Sequence, residues 1–177
     1  MDADAFLPLS GQFYRSVLST NAHAALAAPG PQSAGRYHRQ GQPALYMSPI
    51  PEWSIMAVSG YMREDGLARV LIPLRVSGAR VIDQRDKAGC LQMGIIPEAS
   101  NSPWRAALKQ GLMPLSWENA DKARASGAHG IIDCSRIIPG GWHLCLFRWN
   151  THDAPCVEVC GEPVTFTLSS DGPEWGL

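Results

Sequence analysis

Residues 68–83 read ARVLIPLRVSGARVID, two runs of branched aliphatic residues at 68–76 and 79–83 with a serine and a glycine between them. Runs of this length and composition favour strands, because Val and Ile pack well on a pleated surface and lose rotamer freedom in a helix. Four more segments share the character: 43–48 (PALYMS), 130–133 (GIID), 142–149 (WHLCLFRW) and 163–168 (PVTFTL), which makes about six strands. Helical signals fall between them. The segment 51–62 (PEWSIMAVSGYM) carries Pro51 in its first turn and Glu52 at the positive end of the helix dipole. Ser116 reads as the N-cap of a helix over 117–126 that Gly127 stops, and 85–93 reads as a shorter helix. The segment 17–35, rich in small residues and closing on two prolines and two glycines, reads as a surface excursion. The pattern predicts an α+β fold, a compact mixed sheet with short helices against it.

The chain has 177 residues, enough for a single domain over 1–177 that buries a core without disulfide help. Hydrophobic residues make up 45% and charged ones 18%, which excludes a disordered polyelectrolyte. Fifteen Lys and Arg against sixteen Asp and Glu remove the uniformly basic surface that direct nucleic-acid binding needs. No apolar run is long enough to span a membrane. The opening MDADAFLPLS lacks the basic and apolar regions of a secretion signal, so the expected location is the cytoplasm. The five cysteines are odd in number and form no CxxC, which argues against a disulfide framework and a structural zinc; Cys156 and Cys160 fit one face of a strand, where packing accounts for them.

The chemistry points to the N-terminal third. From Ala5 to Pro51 there is no Asp or Glu, while Arg15, Arg36 and Arg39 occur with His23 and His38. Guanidiniums without neighbouring carboxylates suit a phosphate or pyrophosphate, which they grip bidentately; the alternative is that they pair with acids from later in the chain. The run GRYHRQGQPALY at 35–46 sets cations and aromatics in a glycine-bounded turn leading into a strand. Tyr37 and Tyr46 can offer an aromatic face to an adenine or a pyridinium ring, or can be core tyrosines. Glu52, the first acid after Asp4, follows six residues past Tyr46. It reads either as a carboxylate that stabilises an oxocarbenium-like transition state and holds a ribose hydroxyl, or as a helix-start acid. Ser135 follows the strand GIID and is placed to donate to a phosphate or ribose, without the GxSxG spacing of a hydrolase. His129 and His143 lack metal-ligand partners at a recognisable spacing, so no metal is expected. Neither GxGxxG nor GxxxxGK[ST] occurs.

FYR at 13–15, GRYHRQGQPALYMS at 35–48, SGAHGIIDCSR at 126–136 and the closing GGWHLCLFRWN resemble the RES domain, the toxin half of bacterial RES–Xre toxin–antitoxin modules. The similarity runs from about Phe13 to Asn150, and the PEW…AVSGY stretch is most similar to the ParT branch. The resemblance implies a fold related to the diphtheria-toxin-like ADP-ribosyltransferases, with NAD as co-substrate. It implies cleavage of the nicotinamide–ribose bond, with ADP-ribose passed to a protein or NAD destroyed by phosphorolysis or hydrolysis. In the ParT branch the implied target is phosphoribosyl pyrophosphate synthetase. By motif, Arg15 and Arg36 match NAD-contacting arginines, Tyr46 the tyrosine at the nicotinamide, and Ser135 the family serine. The implied partner is an antitoxin with an Xre-like helix-turn-helix and a segment that covers the NAD cleft.

One position departs from the pattern. Many such proteins carry a catalytic Glu eleven residues after the ALY tyrosine, where this chain has Ala57. Glu52 supplying the carboxylate instead, an inactivating substitution at 57, and binding without turnover are the three explanations; the first is adopted. The expected catalytic set is therefore Glu52, Tyr46 and Arg36, with Arg15, Arg36, Tyr37, Tyr46 and Ser135 holding NAD. ADP-ribosyl transfer leads, ahead of an NAD phosphorylase or glycohydrolase and a catalytically silent binding module.

Overall fold

A computed structural model describes residues 6–169. The α+β expectation holds: seven strands form one mixed sheet with short helices against it. Strand β1 (Leu7–Leu18) pairs antiparallel with β3 (Arg69–Asp83) along almost its whole length, Leu7 opposite Val81 and Leu18 opposite Arg69. The other edge of β3 takes β7 (Val164–Phe166) and β6 (Cys156–Val159) antiparallel, then β4 (Gly130–Cys134) parallel. Strand β5 (Trp142–Leu146) follows β4, and β2 (Leu45–Met47) follows β5, both antiparallel, giving the order β1-β3-β4-β5-β2. Tyr14 and Ser48 then exchange backbone hydrogen bonds of 2.7 and 2.8 Å. The two ends of the strand order therefore meet, which satisfies edge groups that would otherwise invite pairing with another chain.

Alternation along each strand separates two faces. One face carries Phe13, Leu45, Met47, Ile72, Leu74, Ile132, Leu144 and Leu146, all buried in one cluster. The other carries Ile82, Ile131 and Cys145, packed against Tyr37 and against Ala120 and Ala123 of α4 (Leu115–Ala125). Helix α1 (Pro51–Asp65) lies on this second face too: its buried Ser54 hydroxyl is 2.8 Å from that of Ser16, which alternates with Phe13 on β1. Two short helices, α2 (Lys87–Gln92) and α3 (Trp104–Lys109), and 3₁₀ turns at Ser19–Ala24 and Pro97–Asn101 complete the described elements.

Several boundaries differ from the sequence reading. The runs 68–76 and 79–83 are one strand, because Ser77-Gly78 forms a bulge rather than a turn. The register passes from Val76 opposite Gly11 to Ala79 opposite Leu9, so two residues of β3 face Ser10 alone, and Gly78 adopts φ +75° with its N–H on Ser10 Oγ at 2.9 Å. Strand β1 was absent from the expected set, since LPLSGQFYRSVL mixes Pro, Ser and Gly with its apolar residues. Helix α1 runs on to Asp65 and stops at Gly66, φ +66°, whose N–H reaches Met62 O at 2.8 Å. Ser116 is not an N-cap: α4 starts at Leu115, and the fully buried Ser116 hydroxyl donates to the Arg36 carbonyl at 2.5 Å. The expected excursion at 17–35 is largely exposed beyond its 3₁₀ turn. All five cysteines are free. The SSDGPEWGL tail, expected to be flexible, lies outside the described residues apart from Ser169.

Candidate anion-binding and catalytic site

The site begins with the Gly35–Arg39 turn, which α4 holds by its backbone. Trp117 Nε1 donates to Gly35 O at 2.8 Å, Ser116 Oγ to Arg36 O, and Arg124 Nη2 to Tyr37 O at 2.7 Å. Gly35 is required there: a Cβ would stand 2.5 Å from the His38 ring and 2.8 Å from the Tyr46 hydroxyl. Arg39 completes the clamp with a bidentate pair to Asp121 at 2.6 and 2.7 Å while lying over the Trp117 ring. Of the three arginines in the acid-free stretch, Arg39 thus follows the ion-pair alternative.

Arg36 does not. Its Nη1 donates to Ser100 O at 2.5 Å and Ser102 O at 2.9 Å, and among the described residues no carboxylate pairs with it. Ser100 O also receives Arg136 Nη1 at 3.0 Å, so two guanidiniums converge on one carbonyl. That carbonyl is fixed by a buried network: Ser100 Oγ donates to Gln84 Oε1 at 2.6 Å and receives Asn119 Nδ2 at 2.9 Å, while Gln84 Nε2 donates to Tyr37 OH and Ile132 O at 3.1 Å each. Burial lowers the Arg36 pKa, and Arg136 lowers it further, while Asp133 offsets part of the effect. Paired cations without a full complement of carboxylate are an arrangement that an anion stabilises.

The sheet supplies the floor. The β4–β5 register sets Asp133 opposite His143, on the same face as Tyr46. Asp133 is buried, 3.5 Å from Arg136 Nη2; burial raises its pKa, and the Tyr37 hydroxyl and the two arginines hold the rise in check. His143 Nδ1 is 2.7 Å from Ser48 Oγ, and burial, aided by Arg136, lowers its pKa to about 4, so it is neutral at physiological pH. A cavity of about 340 Å³, lined by Arg85, Lys87 and Glu98 among others, reaches this cluster at Asp133.

Tyr46 is half-buried and fixed by its hydroxyl, which accepts from Tyr37 N at 3.0 Å and meets His38 Nδ1 at 2.9 Å. Its ring packs against the second core cluster and keeps partial exposure. Arg15 stands on the opposite face of the sheet, with Phe13, where its Nη1 donates to Tyr46 O at 2.9 Å and its Nε to Ala25 O at 3.1 Å. Burial lowers the Arg15 pKa. Arg15 therefore braces the strand that carries Tyr46 from behind and shares no hydrogen-bond partner with Arg36.

Three further expectations fare differently. Tyr37 is 1% exposed in the core, so it offers no ring face; its part is to support Asp133 and Gln84. Ser135 Oγ accepts from the Ile137 and Ile138 N–H groups at 3.3 and 3.0 Å, building the turn that presents Arg136. Glu52 is exposed in the first turn of α1 and has no hydrogen bond or ion pair among the described residues; the structure does not bring it against Arg15, Arg36 or Tyr46. It stands four residues beyond Ser48. Five residues of helix rotate by about 140° net, so Glu52 and Ala57 project from different flanks of α1. Sequence reasoning missed Arg136, Asp133, His143 and Ser48 as site members. All but Ser48 lie beyond residue 130, and only the strand register, which the sequence does not state, brings them beside Arg36 and Tyr46.

A family model described as the RES domain matches residues 12–169. No curated protein matches the chain. Among solved structures, a chain of the M. tuberculosis MbcT–MbcA toxin–antitoxin complex superposes with a TM-score of 0.65 at 13% identity, covering 92% of this chain and 87% of that one. At that identity the likeness speaks for the fold.

Proposed function

The chain belongs to the RES-domain family, and from that premise we propose that it is the toxin of a toxin–antitoxin pair, an NAD-consuming enzyme that transfers ADP-ribose to a protein. The observation that carries the reading is the convergence of Arg36 and Arg136 on Ser100, beside the fixed ring of Tyr46. The donors these guanidiniums do not spend on carbonyls hold the pyrophosphate, and the Tyr46 face stacks on the nicotinamide. Glu52, unpaired at the start of α1, turns to the ribose and stabilises positive charge at its anomeric carbon as the bond to nicotinamide breaks. The bonding electrons leave with nicotinamide. A nucleophile on the target protein then bonds to that carbon and gives up its proton. Phosphoribosyl pyrophosphate synthetase, a nucleotide-synthesis enzyme, is the target class carried by the ParT resemblance, and the cytoplasm is where toxin and target would meet.

The partner is an antitoxin that covers the cleft and carries its own Xre-like DNA-binding helices; the structural neighbour comes from a toxin–antitoxin complex. A second reading, NAD phosphorolysis, is favoured by the same arginine pair, whose free donors suit inorganic phosphate as acceptor. Nicotinamide release by the chain and by Glu52→Gln and Arg36→Ala, with labelled NAD, lysate and phosphate added separately, tests both. A labelled protein band supports transfer. Release that rises with phosphate and leaves no band supports phosphorolysis. No release under any condition leaves only a silent binding module.

A further inference from the structure

At the far end of β4 and β5 from Arg36 lies an open basin of about 510 Å³ lined by Gly78, Arg80, Gly127, His129, Arg148, Asp153 and Ala154. His129 just precedes β4 and Asp133 lies near its end, four residues on, so the basin is about 13 Å along the strand from the arginine cluster. We propose that this basin is a second anion site, which takes the phosphoryl group of a small soluble ligand.

Two donors there lack hydrogen-bond partners among the described residues. His129 Nδ1 accepts from the Arg80 backbone N–H at 3.1 Å, which places the ring proton on Nε2; that atom is buried and makes no hydrogen bond, in a residue only 5% exposed. The Asp153 backbone carbonyl lies near enough to favour a charged ring but outside hydrogen-bond geometry. Arg148 spends Nη2 on Gly127 O at 2.7 Å and leaves Nε buried and unpartnered. Buried donors left unmatched are costly, and structures tolerate them where a ligand supplies the acceptor. Arg80 adds an exposed guanidinium that lies 5.5 Å from the centre of the Phe6 ring.

The charge agrees. Two arginines face the basin, and its one carboxylate, Asp153, is exposed and pairs with His152 at 2.9 Å. Burial lowers the His129 pKa first, and Arg148 and Arg80 lower it further, so their positive field also reaches the ring. Donors arriving from β3, from the residue before β4 and from the second residue after β5 surround a volume rather than a plane. That suits the tetrahedral oxygens of a phosphoryl group better than a flat carboxylate. Gly78, Gly127 and Ala154 leave the approach free of bulk.

The test is a titration of the full chain with inorganic phosphate, followed through the His129 ring signals by NMR, with chloride at matched ionic strength as control. Saturable shifts that chloride does not reproduce are expected, weakened about 10-fold in the Arg80→Ala variant, whose side chain is exposed, and unchanged in Arg36→Ala. Arg148→Lys, which keeps the charge and loses Nε, should weaken binding as well. Unmoved His129 signals up to about 10 mM phosphate, shifts equal in chloride, or full binding in Arg80→Ala would each overturn the site. Loss of binding in Arg36→Ala alone would assign the phosphate to the first site and overturn it equally.

Discussion

The two faces of the sheet are built from the same strands and obey different rules. On the face of Phe13, Leu74 and Leu144, burial is nearly complete, and the one cation set into it, Arg15, donates to two carbonyls. On the face of Asp133, His143 and Tyr46, polar and charged groups are set into the packing, and Arg36 and Arg136 share a single carbonyl. The first face stabilises; the second gathers like charge, which is what the proposed anion site needs.

Leu144→Ala should produce the largest loss of stability, about 2–5 kcal/mol for an aliphatic residue that is fully buried. Thermal unfolding measures it, and nicotinamide release at a temperature where the variant is folded should stay near the parent value. If release fell in proportion to stability, the faces would not be separable. Arg36→Ala should do the opposite, lowering nicotinamide release by about 100- to 1,000-fold with little change in unfolding temperature. Lysine there should not restore it, because an ammonium cannot reproduce the fork. Glu52→Gln should lower release by about 100-fold and leave NAD affinity unchanged; unchanged release would remove Glu52 from the mechanism.

The histidines sharpen the comparison through pH. His38 and His143 both sit at about 4 in the folded chain against 6.5 for the free side chain, so the unfolded chain binds protons first as pH falls. Stability is full above about 6.5 and declines toward 4. Denaturant titrations should show that decline, and His143→Gln should flatten it. Arg39→Ala should have the smallest effect, about 1 kcal/mol or less and with release nearly unchanged, since its pair with Asp121 keeps substantial solvent exposure.

Local composition made the apolar face readable: branched residues at 68–83, 130–133 and 142–149 fall in strands, and an α+β class follows from them. Gly78 reads alike as a turn or a bulge until the partner strand is known, which is why one strand read as two. The site was legible as far as one segment carries it. Arg36 and Tyr46 stand out because no acid surrounds them in sequence. Tyr37 has the same local signature and is buried, since its surroundings come from Gln84, Ser100 and Asp133. Arg136 gave no signal of its own, because its importance lies in reaching the same carbonyl as a residue 100 positions earlier.

The pairing of Tyr46 with Cys145 spans 99 positions of chain. A ribosome must therefore extrude most of the polypeptide before the pocket can exist, and a truncated translation product would carry Arg36 and Tyr46 with nothing to assemble them on. On the proposed reading, in which the chain is a toxin, that delay leaves time for a partner to be waiting when synthesis ends.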